Sequence, residues 1–161
     1  MITLKPEPLT AAAFKPFGDV VETDGAQHYP INQGFAERFN DLARVDVSAT
    51  NVSIVIARLR PNPIKLELME RHPLGSQIFY PLQDRPWLVV VCENPKEPLS
   101  FRAFAASGRQ GINYARNVWH HPLLVLDADS RFMVVDRKGE GRNLEEIILE
   151  EPIICGSLQQ K

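Results

Sequence analysis

The feature that most constrains the fold is a long succession of short apolar runs, each ended by proline or glycine. The chain holds 13 prolines and 9 glycines in 161 residues, and many apolar residues between them alternate with polar ones. This pattern is typical of β-strands, because side chains in a strand point alternately to the two faces of a sheet. We predict ten strands, at residues 19–22, 44–47, 52–60, 64–72, 76–82, 87–93, 99–105, 119–126, 131–136 and 146–149.

A short helix is predicted near the N-terminus. Thr10 precedes Ala11–Phe14 and offers a side-chain oxygen to the first free amides, and Pro16 and Gly18 end the segment. Ten short strands with one or two short helices predict an all-β fold, an antiparallel sandwich or barrel. The length, and the lack of an internal repeat or linker, predict a single domain over residues 1–161.

Charge and hydropathy narrow the class of partner. The formal net charge is −2 and the pI is about 6.1, and Lys and Arg are scattered, so nothing indicates binding to nucleic acid. The sequence has no run of about 18 apolar residues and no leader-like start, so we expect neither a membrane protein nor a secreted one. The chain is therefore expected to be cytoplasmic, with a small molecule as its substrate or ligand.

The two cysteines, Cys92 and Cys155, lie far apart in the sequence. They fit neither a disulfide framework nor the paired spacing of a zinc site. Cys92 ends the apolar run that begins at Trp87, and we predict that it is a buried thiol of the core.

The predicted strand 64–72 carries a carboxylate and an imidazole. Alternation places Ile64, Leu66, Leu68, Glu70 and His72 on one face, and the three aliphatic residues indicate that this face is buried. A buried ionisable pair is costly unless it is paired, hydrogen-bonded or bound to a metal, which makes it a candidate site. The alternative is that Glu70 bends outward and that His72 only ends the strand at the following turn.

A second histidine cluster, His120 and His121, lies near the start of the predicted strand 119–126. Adjacent residues of a strand face opposite sides, so one histidine is expected to reach the cavity and the other is not. Glu70, His72 and one of this pair would supply three metal ligands or acid–base groups, with Gln77 as a fourth. Such a set suits Ni²⁺, Zn²⁺, Mn²⁺ or Fe²⁺, although the spacing permits a metal without requiring one.

Three segments resemble the signature of the ureidoglycolate lyase family. They are residues 70–77 (Glu-Arg-His-Pro-Leu-Gly-Ser-Gln), 108–114 (Gly-Arg-Gln-Gly-Ile-Asn-Tyr) and 117–122 (Asn-Val-Trp-His-His-Pro). The resemblance covers nearly the whole chain, from residues 14–20 to residues 134–137. It implies a cupin-like, jelly-roll-like β-barrel that forms a homodimer. It also implies cleavage of (S)-ureidoglycolate to glyoxylate and urea, a step of allantoin (purine) degradation.

The resemblance also implies a metal site. By comparison with the two cupin motifs, the four metal ligands would be Glu70, His72, Gln77 and His120, with Glu in place of one usual His and Gln in place of the usual Glu. Nickel is the metal associated with the family, and no organic cofactor is expected. One departure is Ala115, which stands where the family often has His.

The implied substrate is a carbinolamide, whose central carbon bears a hydroxyl, a carboxylate and a urea nitrogen. Its cleavage requires a base that takes the hydroxyl proton and an acid that protonates the departing urea. We assign the base to His72 and the acid to His120 or Glu70. A metal, if bound, would polarise the hydroxyl or bind the carboxylate.

The substrate carboxylate is best bound by a guanidinium, which donates two parallel hydrogen bonds. Arg71 alternates away from His72 and is expected to face solvent or a dimer partner. The candidate substrate-binding residues are Arg38, Arg116, Asn32, Asn113 and Gln77.

Two other functions remain open from the sequence. One is an amidohydrolase that attacks the urea carbonyl and releases ammonia and carbon dioxide. The other is a non-catalytic cupin-like protein that binds a small carboxylate, an alternative that Ala115 keeps open. The products formed from ureidoglycolate distinguish these functions from the lyase.

Overall fold

Strands dominate the computed structural model, which describes residues 1–156 of the chain. In chain order the strands are β1 (Thr3–Leu4), β2 (Glu7–Pro8), β3 (Gly18–Val21), β4 (Gln27–Ile31), β5 (Ala36–Asn40), β6 (Thr50–Ala57), β7 (Ile64–Arg71), β8 (Gln77–Pro81), β9 (Trp87–Cys92), β10 (Phe101–Ala106), β11 (Gly111–Tyr114), β12 (Trp119–His120), β13 (Leu124–Val125), β14 (Ser130–Arg137) and β15 (Glu145–Cys155). One α-helix, α1 (Ala11–Phe14), and two 3-10 turns, Asn32–Gly34 and Pro98–Ser100, complete the described part.

The strands form two large sheets and one hairpin. The larger sheet has the order β1-β15-β7-β12-β9-β10-β2, with β13 also paired to β9, and the smaller has the order β3-β11-β8-β14-β6. Strands β4 and β5 form a separate two-stranded sheet. Most neighbours are antiparallel, and the two-residue strands β1 and β2 pair in parallel at the edges of the larger sheet. The prediction of an all-β fold of mostly antiparallel strands with a short N-terminal helix is confirmed.

The inner core lies between the two large sheets, which curl around it as a half-barrel. Strand β9 contributes Trp87, Val89 and Val91, and the smaller sheet contributes residues such as Phe132 and Ile112. The Trp87 indole N–H donates to the carbonyls of Ser107 and Gln110 at 3.2 and 3.1 Å, so the largest core side chain is also hydrogen-bonded. The remaining residues of β9, including Cys92, pack into a second cluster on the opposite face of the larger sheet. Cys92 is a buried free thiol, as predicted.

The N-terminal helix follows its sequence signal. The Thr10 side-chain oxygen accepts a hydrogen bond from the backbone N–H of Ala13 at 3.1 Å, which satisfies one of the free amides at the helix start. Phe14, at the end of the helix, is fully buried against Phe104 and Phe17. No helix in residues 1–156 has the length and apolar character required to cross a lipid bilayer.

Two strand predictions need correction. Residues 44–47 are not a strand, because this segment crosses the outer face of the smaller sheet and is held there by side chains of β3 and β11. The predicted strand 119–126 is split into β12 and β13, since Pro122 lies between them and cannot donate to a ladder. The hairpin β4–β5 and strand β11 were not predicted.

Strand β7 departs from simple alternation. Ile64 and Leu66 belong to the second cluster, and so does Met69. In a regular strand Met69 would face the opposite side, because it lies an odd number of residues from both. The register of the neighbouring β15 shifts at the same place, between its pairings with Leu66 and Leu68. The prediction that Ile64 and Leu66 share a face with Glu70 is therefore wrong, since the strand changes face between Leu66 and Leu68.

Strand β6 is the edge of the smaller sheet in the described part of the chain, because it pairs only with β14. Its outward residues Val52 and Ile54 are 61% and 50% exposed, and Ile56 is also exposed. None of its eight residues is charged.

Candidate active site

Three ionisable side chains converge on the inner face of the larger sheet. His120 of β12 lies directly opposite Glu70 of β7 on one side and Val91 of β9 on the other. Because Val91 belongs to the inner core, Glu70 and His120 face the inside of the half-barrel. Ligand atoms of Glu70, His72 and His120 all lie within 4.8 Å of one another. The structure thus brings together the three residues predicted from the sequence to carry the chemistry.

Backbone carbonyls fix the orientation of both imidazoles. The Nδ1 atom of His72 lies 2.8 Å from the carbonyl oxygen of Asn143, and that of His120 lies 2.9 Å from the carbonyl oxygen of Val118. A carbonyl only accepts, so each Nδ1 carries a hydrogen and, in the neutral ring, each Nε2 presents a lone pair. Both Nε2 atoms are buried without a hydrogen-bond partner in the described residues. They are available to a proton or a metal ion.

The carboxylate of Glu70 lies close to this pair. Its Oε1 is 3.5 Å from Nε2 of His120, longer than a normal hydrogen bond. Burial raises the pKa of the Glu70 carboxyl, but interaction with His120 and the charges of His72 and His121 outweigh burial and lower this pKa below its ordinary value. Glu70 is therefore an anion at neutral pH.

His72 is kept neutral by its surroundings. Burial lowers the pKa of its imidazole, and the charge of His120 lowers it further, against the opposing effects of the Asn143 carbonyl, Glu70 and Asp136. A neutral imidazole with a free Nε2 lone pair can accept a proton at neutral pH.

Tyr114 forms the wall behind His120. The two rings stack with centroids 4.0 Å apart and an interplanar angle of 12°. Tyr114 is buried in the inner core, and burial raises the pKa of its hydroxyl, so it stays protonated. Stacking and the Val118 carbonyl together hold the His120 ring in one orientation.

Gln77 adds an oxygen to the same face. It lies opposite Tyr114 in the ladder between β8 and β11, so both side chains point inward. Its amide nitrogen donates to Asp136 at 3.1 Å, which directs the amide oxygen elsewhere, and this oxygen is buried without a hydrogen-bond partner in residues 1–156. Two imidazole nitrogens, a carboxylate and an amide oxygen are a donor set that suits a divalent metal.

A cavity of about 470 Å³ opens beside the cluster. Glu70, His120 and Tyr114 form one end of it, and both His120 and His121 border it. The prediction that only one of the two histidines reaches the cavity is wrong, because β12 ends at His120 and strict strand alternation does not extend to His121. Its remaining walls are largely apolar, and two arginines stand among them, Arg58 and Arg60.

His121 is expected to make the protein less stable as the pH falls. Burial lowers the pKa of its imidazole to about 4, with Arg60 and His120 contributing and the Pro122 carbonyl opposing. Between the unfolded value of about 6.5 and this folded value, the unfolded chain binds more protons. Stability is therefore lost over that window as pH decreases, by on the order of 3 kcal/mol from this group. Urea unfolding at several pH values measures the slope.

The control for this prediction is His121→Asn, because an asparagine amide can donate to the same carbonyl but does not titrate. The variant should show a shallower loss of unfolding free energy between pH 6.5 and 4. An unchanged slope would show that other groups cause the acid sensitivity.

The structure does not bring the other predicted substrate-binding residues to this cavity. Arg38 and Asn32 lie on the hairpin β4–β5 and its connecting turn, where the Arg38 guanidinium donates to the Asn40 side chain at 3.0 Å. Asn113 alternates with Tyr114 and so points to the outer face of the smaller sheet, and Arg116 is paired with Asp46 at 3.1 Å. Of the predicted substrate-binding set, Gln77 alone shares the inner face with the cluster.

Asn113, Arg116 and Ala115 instead border a separate pocket on that outer face. The Asn113 amide donates to Asp19 and to the carbonyl of Arg44, so it fastens the segment around Arg44 to the sheet. Asn113, a predicted substrate-binding residue, therefore makes a structural contact on the outer face.

Arg71 lies where alternation predicts, on the face opposite Glu70 and His72. Its guanidinium forms an ion pair with Glu145 at 2.6 Å and lies 4.5 Å from the ring centre of Trp119. These contacts hold the Arg71 side chain on the outer face of the larger sheet, away from the cluster.

Comparison with known proteins supplies a family. The family model described as "Ureidoglycolate lyase" matches residues 1–155. A Burkholderia mallei protein named ureidoglycolate lyase is 51% identical over 158 residues, which cover 95% of this chain and 93% of that one. A Rhizobium meliloti protein named ureidoglycolate lyase 1 is 52% identical over 153 residues, covering 92% and 90%. Among solved structures, a 3,4-ketoisomerase from Helicobacter canadensis is similar with a TM-score of 0.49 and 12% identity, covering 80% and 87%.

Proposed function

The chain belongs to the ureidoglycolate lyase family, and from this premise we propose that it cleaves ureidoglycolate to glyoxylate and urea at the cluster of Glu70, His72 and His120. The observation that carries the assignment to these residues is the pair of buried imidazole Nε2 atoms, without partners, beside one carboxylate at the end of a cavity. Buried groups of this kind, with shifted pKa values and a cavity beside them, are typical of catalytic sites.

The reaction needs two proton transfers. One group takes the hydroxyl proton of the substrate as the carbon–nitrogen bond breaks, and another gives a proton to the urea nitrogen. His72 suits the first role because it is neutral and its Nε2 lone pair is free. Since Glu70 is an anion, it has no proton to give, and His120, whose Nε2 lies 3.5 Å from the Glu70 carboxylate, takes the second role. The sequence left His120 and Glu70 as alternatives for the acid, and the negative charge of Glu70 favours His120.

The same donors fit a divalent metal, with nickel as the first candidate. His72 Nε2, His120 Nε2, a Glu70 carboxylate oxygen and the Gln77 amide oxygen would hold it, and each imidazole already has the outer carbonyl contact common for metal-bound histidines. When bound, the ion would act as a Lewis acid toward the substrate hydroxyl or carboxylate. A nitrogen that binds a metal does not also accept a proton, so metal content decides which role His72 Nε2 has.

Titration with Ni²⁺ is expected to saturate at one ion per chain. Binding should stabilise the fold by about 2.7 kcal/mol at a free concentration 100 times Kd, measured as a rise in Tm alongside calorimetry. Glu70→Gln should weaken binding because it removes the carboxylate, and Arg71→Ala, on the opposite face, should not. Absence of binding by Ni²⁺, Zn²⁺, Mn²⁺ and Fe²⁺ would contradict the metal site.

Activity of the metal-free protein then separates the two roles. Full activity after chelation assigns proton transfer to the histidines. Loss of activity that Ni²⁺ restores would assign the histidines the role of ligands to the ion.

The products test the function itself. Incubation with ureidoglycolate is expected to yield urea and glyoxylate in equal amounts without ammonia, measured by separate enzymatic assays of urea, glyoxylate and ammonia. Ammonia without urea would support the amidohydrolase instead, and glyoxylate binding without turnover would support the non-catalytic alternative.

On family membership alone we further propose a cytoplasmic homodimer that acts on the (S) enantiomer in allantoin (purine) degradation. Sedimentation equilibrium tests the dimer, and the assay above, run on each enantiomer, tests the stereochemistry.

A further inference from the structure

The cavity beside the catalytic cluster has an unequal distribution of charge. Glu70 places a carboxylate at one side of the cavity, and most of the other lining residues are apolar. Ureidoglycolate also carries a negative charge, on its carboxylate. A second anion beside this carboxylate is favoured where a cation can pair with it.

Arg58 and Arg60 are the cations that border this cavity, and Arg58 already has a partner. Its guanidinium donates to Asp129 at 3.0 Å, and the other oxygen of Asp129 accepts the backbone N–H of Leu59 at 2.9 Å. Asp129 therefore neutralises Arg58 and fastens the segment that carries both arginines.

Arg60 has no acidic side chain within 4.0 Å among residues 1–156. It borders the same cavity as His121 and the cluster residue His120. Arg60 is thus an unpaired guanidinium held beside the site by a fastened segment.

We propose that Arg60 binds the substrate carboxylate and thereby selects ureidoglycolate over uncharged carbinolamides. This inference rests on the proposed function and adds the residue that sets its substrate class. A guanidinium donates two parallel hydrogen bonds to a carboxylate, which fixes one end of the substrate. The carbinol carbon and its urea group then extend toward Glu70 and His120.

The test compares two substrates that share the reacting bond. N-(hydroxymethyl)urea has the same hydroxyl, carbon and urea nitrogen as ureidoglycolate but no carboxylate, and its cleavage yields formaldehyde and urea. Arg60→Gln is expected to lower kcat/KM for ureidoglycolate by about 100-fold, the size of two lost charge-assisted hydrogen bonds. Its kcat/KM for N-(hydroxymethyl)urea should stay within about twofold of the wild type, since no carboxylate is lost.

Two matched variants sharpen the comparison. Arg58→Gln removes the neighbouring guanidinium, and because Arg58 is paired with Asp129 it should leave the preference between the two substrates unchanged. Arg60→Lys keeps the charge without the planar fork and should recover only part of the lost rate. Thermal melting checks that each variant is folded.

The proposal is overturned if Arg60→Gln slows both substrates equally, which would indicate a structural role, or if Arg58→Gln alone abolishes the preference. Calorimetric titration with glyoxylate supplies a test that does not depend on turnover. The wild type should bind glyoxylate and Arg60→Gln should bind it about 100-fold more weakly. Equal binding of glyoxylate by the two proteins overturns the proposal, whether or not the wild type releases urea. Absence of urea release by the wild type would instead refute the proposed function.

Discussion

His72→Ala is expected to lower kcat for ureidoglycolate cleavage by about 1000-fold, the typical contribution of a general base or acid. Nε2 of His72 is buried without a partner beside Glu70 and His120, so no other group of the cluster duplicates its position. The same loss is expected if this nitrogen binds a metal, since the ion would lose one of its ligands. Steady-state release of urea measures the effect.

The matched control is Arg71→Ala. Arg71 adjoins His72 in the chain but faces away, where it contacts Glu145 and Trp119. This variant should lose some stability and keep its kcat. Because His72 also bonds the Asn143 carbonyl, the His72→Ala protein should be checked by thermal melting and supplied with free imidazole, which should restore part of the rate. A folded His72→Ala protein with full activity would refute the assignment.

Gly18→Ala is expected to be the most destabilising of the substitutions proposed for this protein, by roughly 3–5 kcal/mol. Gly18 has a φ of +147°, which side-chain-bearing residues rarely adopt, and a Cβ there would overlap the backbone carbonyl oxygen of Asn113. The overlap involves backbone on both sides, so no rotamer change relieves it, and the pairing of β3 with β11 must open. Urea unfolding measures the loss.

Gly25→Ala provides the comparison. Gly25 also has a positive φ, of +70°, but a Cβ there would have no atom within 4 Å. Gly25→Ala should therefore lower the free energy of unfolding only through its backbone conformation, by about 1 kcal/mol. Equal losses for the two variants would show that the contact with β11 is not the cause.

Much of the fold could be predicted from local pattern. Strands such as β9 have continuous apolar runs bounded by proline, and the helix start at Thr10 has a side-chain cap. The predicted strand at residues 44–47 failed because its order comes from distant partners, the side chains of Asp19 and Asn113. No short-range pattern reports a contact of that kind.

The candidate site could be predicted in part for a similar reason. Glu70 and His72 were found because they lie two residues apart in a strand, and both face inward as expected, although Ile64 and Leu66 do not share that face. The change of face before Glu70 occurs where β15 shifts register against β7, and that shift is a property of two strands together. Arg60 was missed although the predicted strand 52–60 includes it. In the structure β6 ends at Ala57, so Arg60 follows the strand in a loop, where alternation does not give its direction.

The uncharged edge strand β6 affects how the protein behaves in concentrated solution. Natural sheets protect their edges with charges, prolines or bulges, and an exposed apolar edge can add a strand from another molecule. Within residues 1–156, the eight residues of β6 contain no charge or proline and pair with β14 without a bulge, so we expect colloidal stability during purification and storage to depend on them. Ile54 points to the outer face, opposite Met133 and away from the cavity, so lysine at this position would improve solubility at high concentration without altering the chemistry inside.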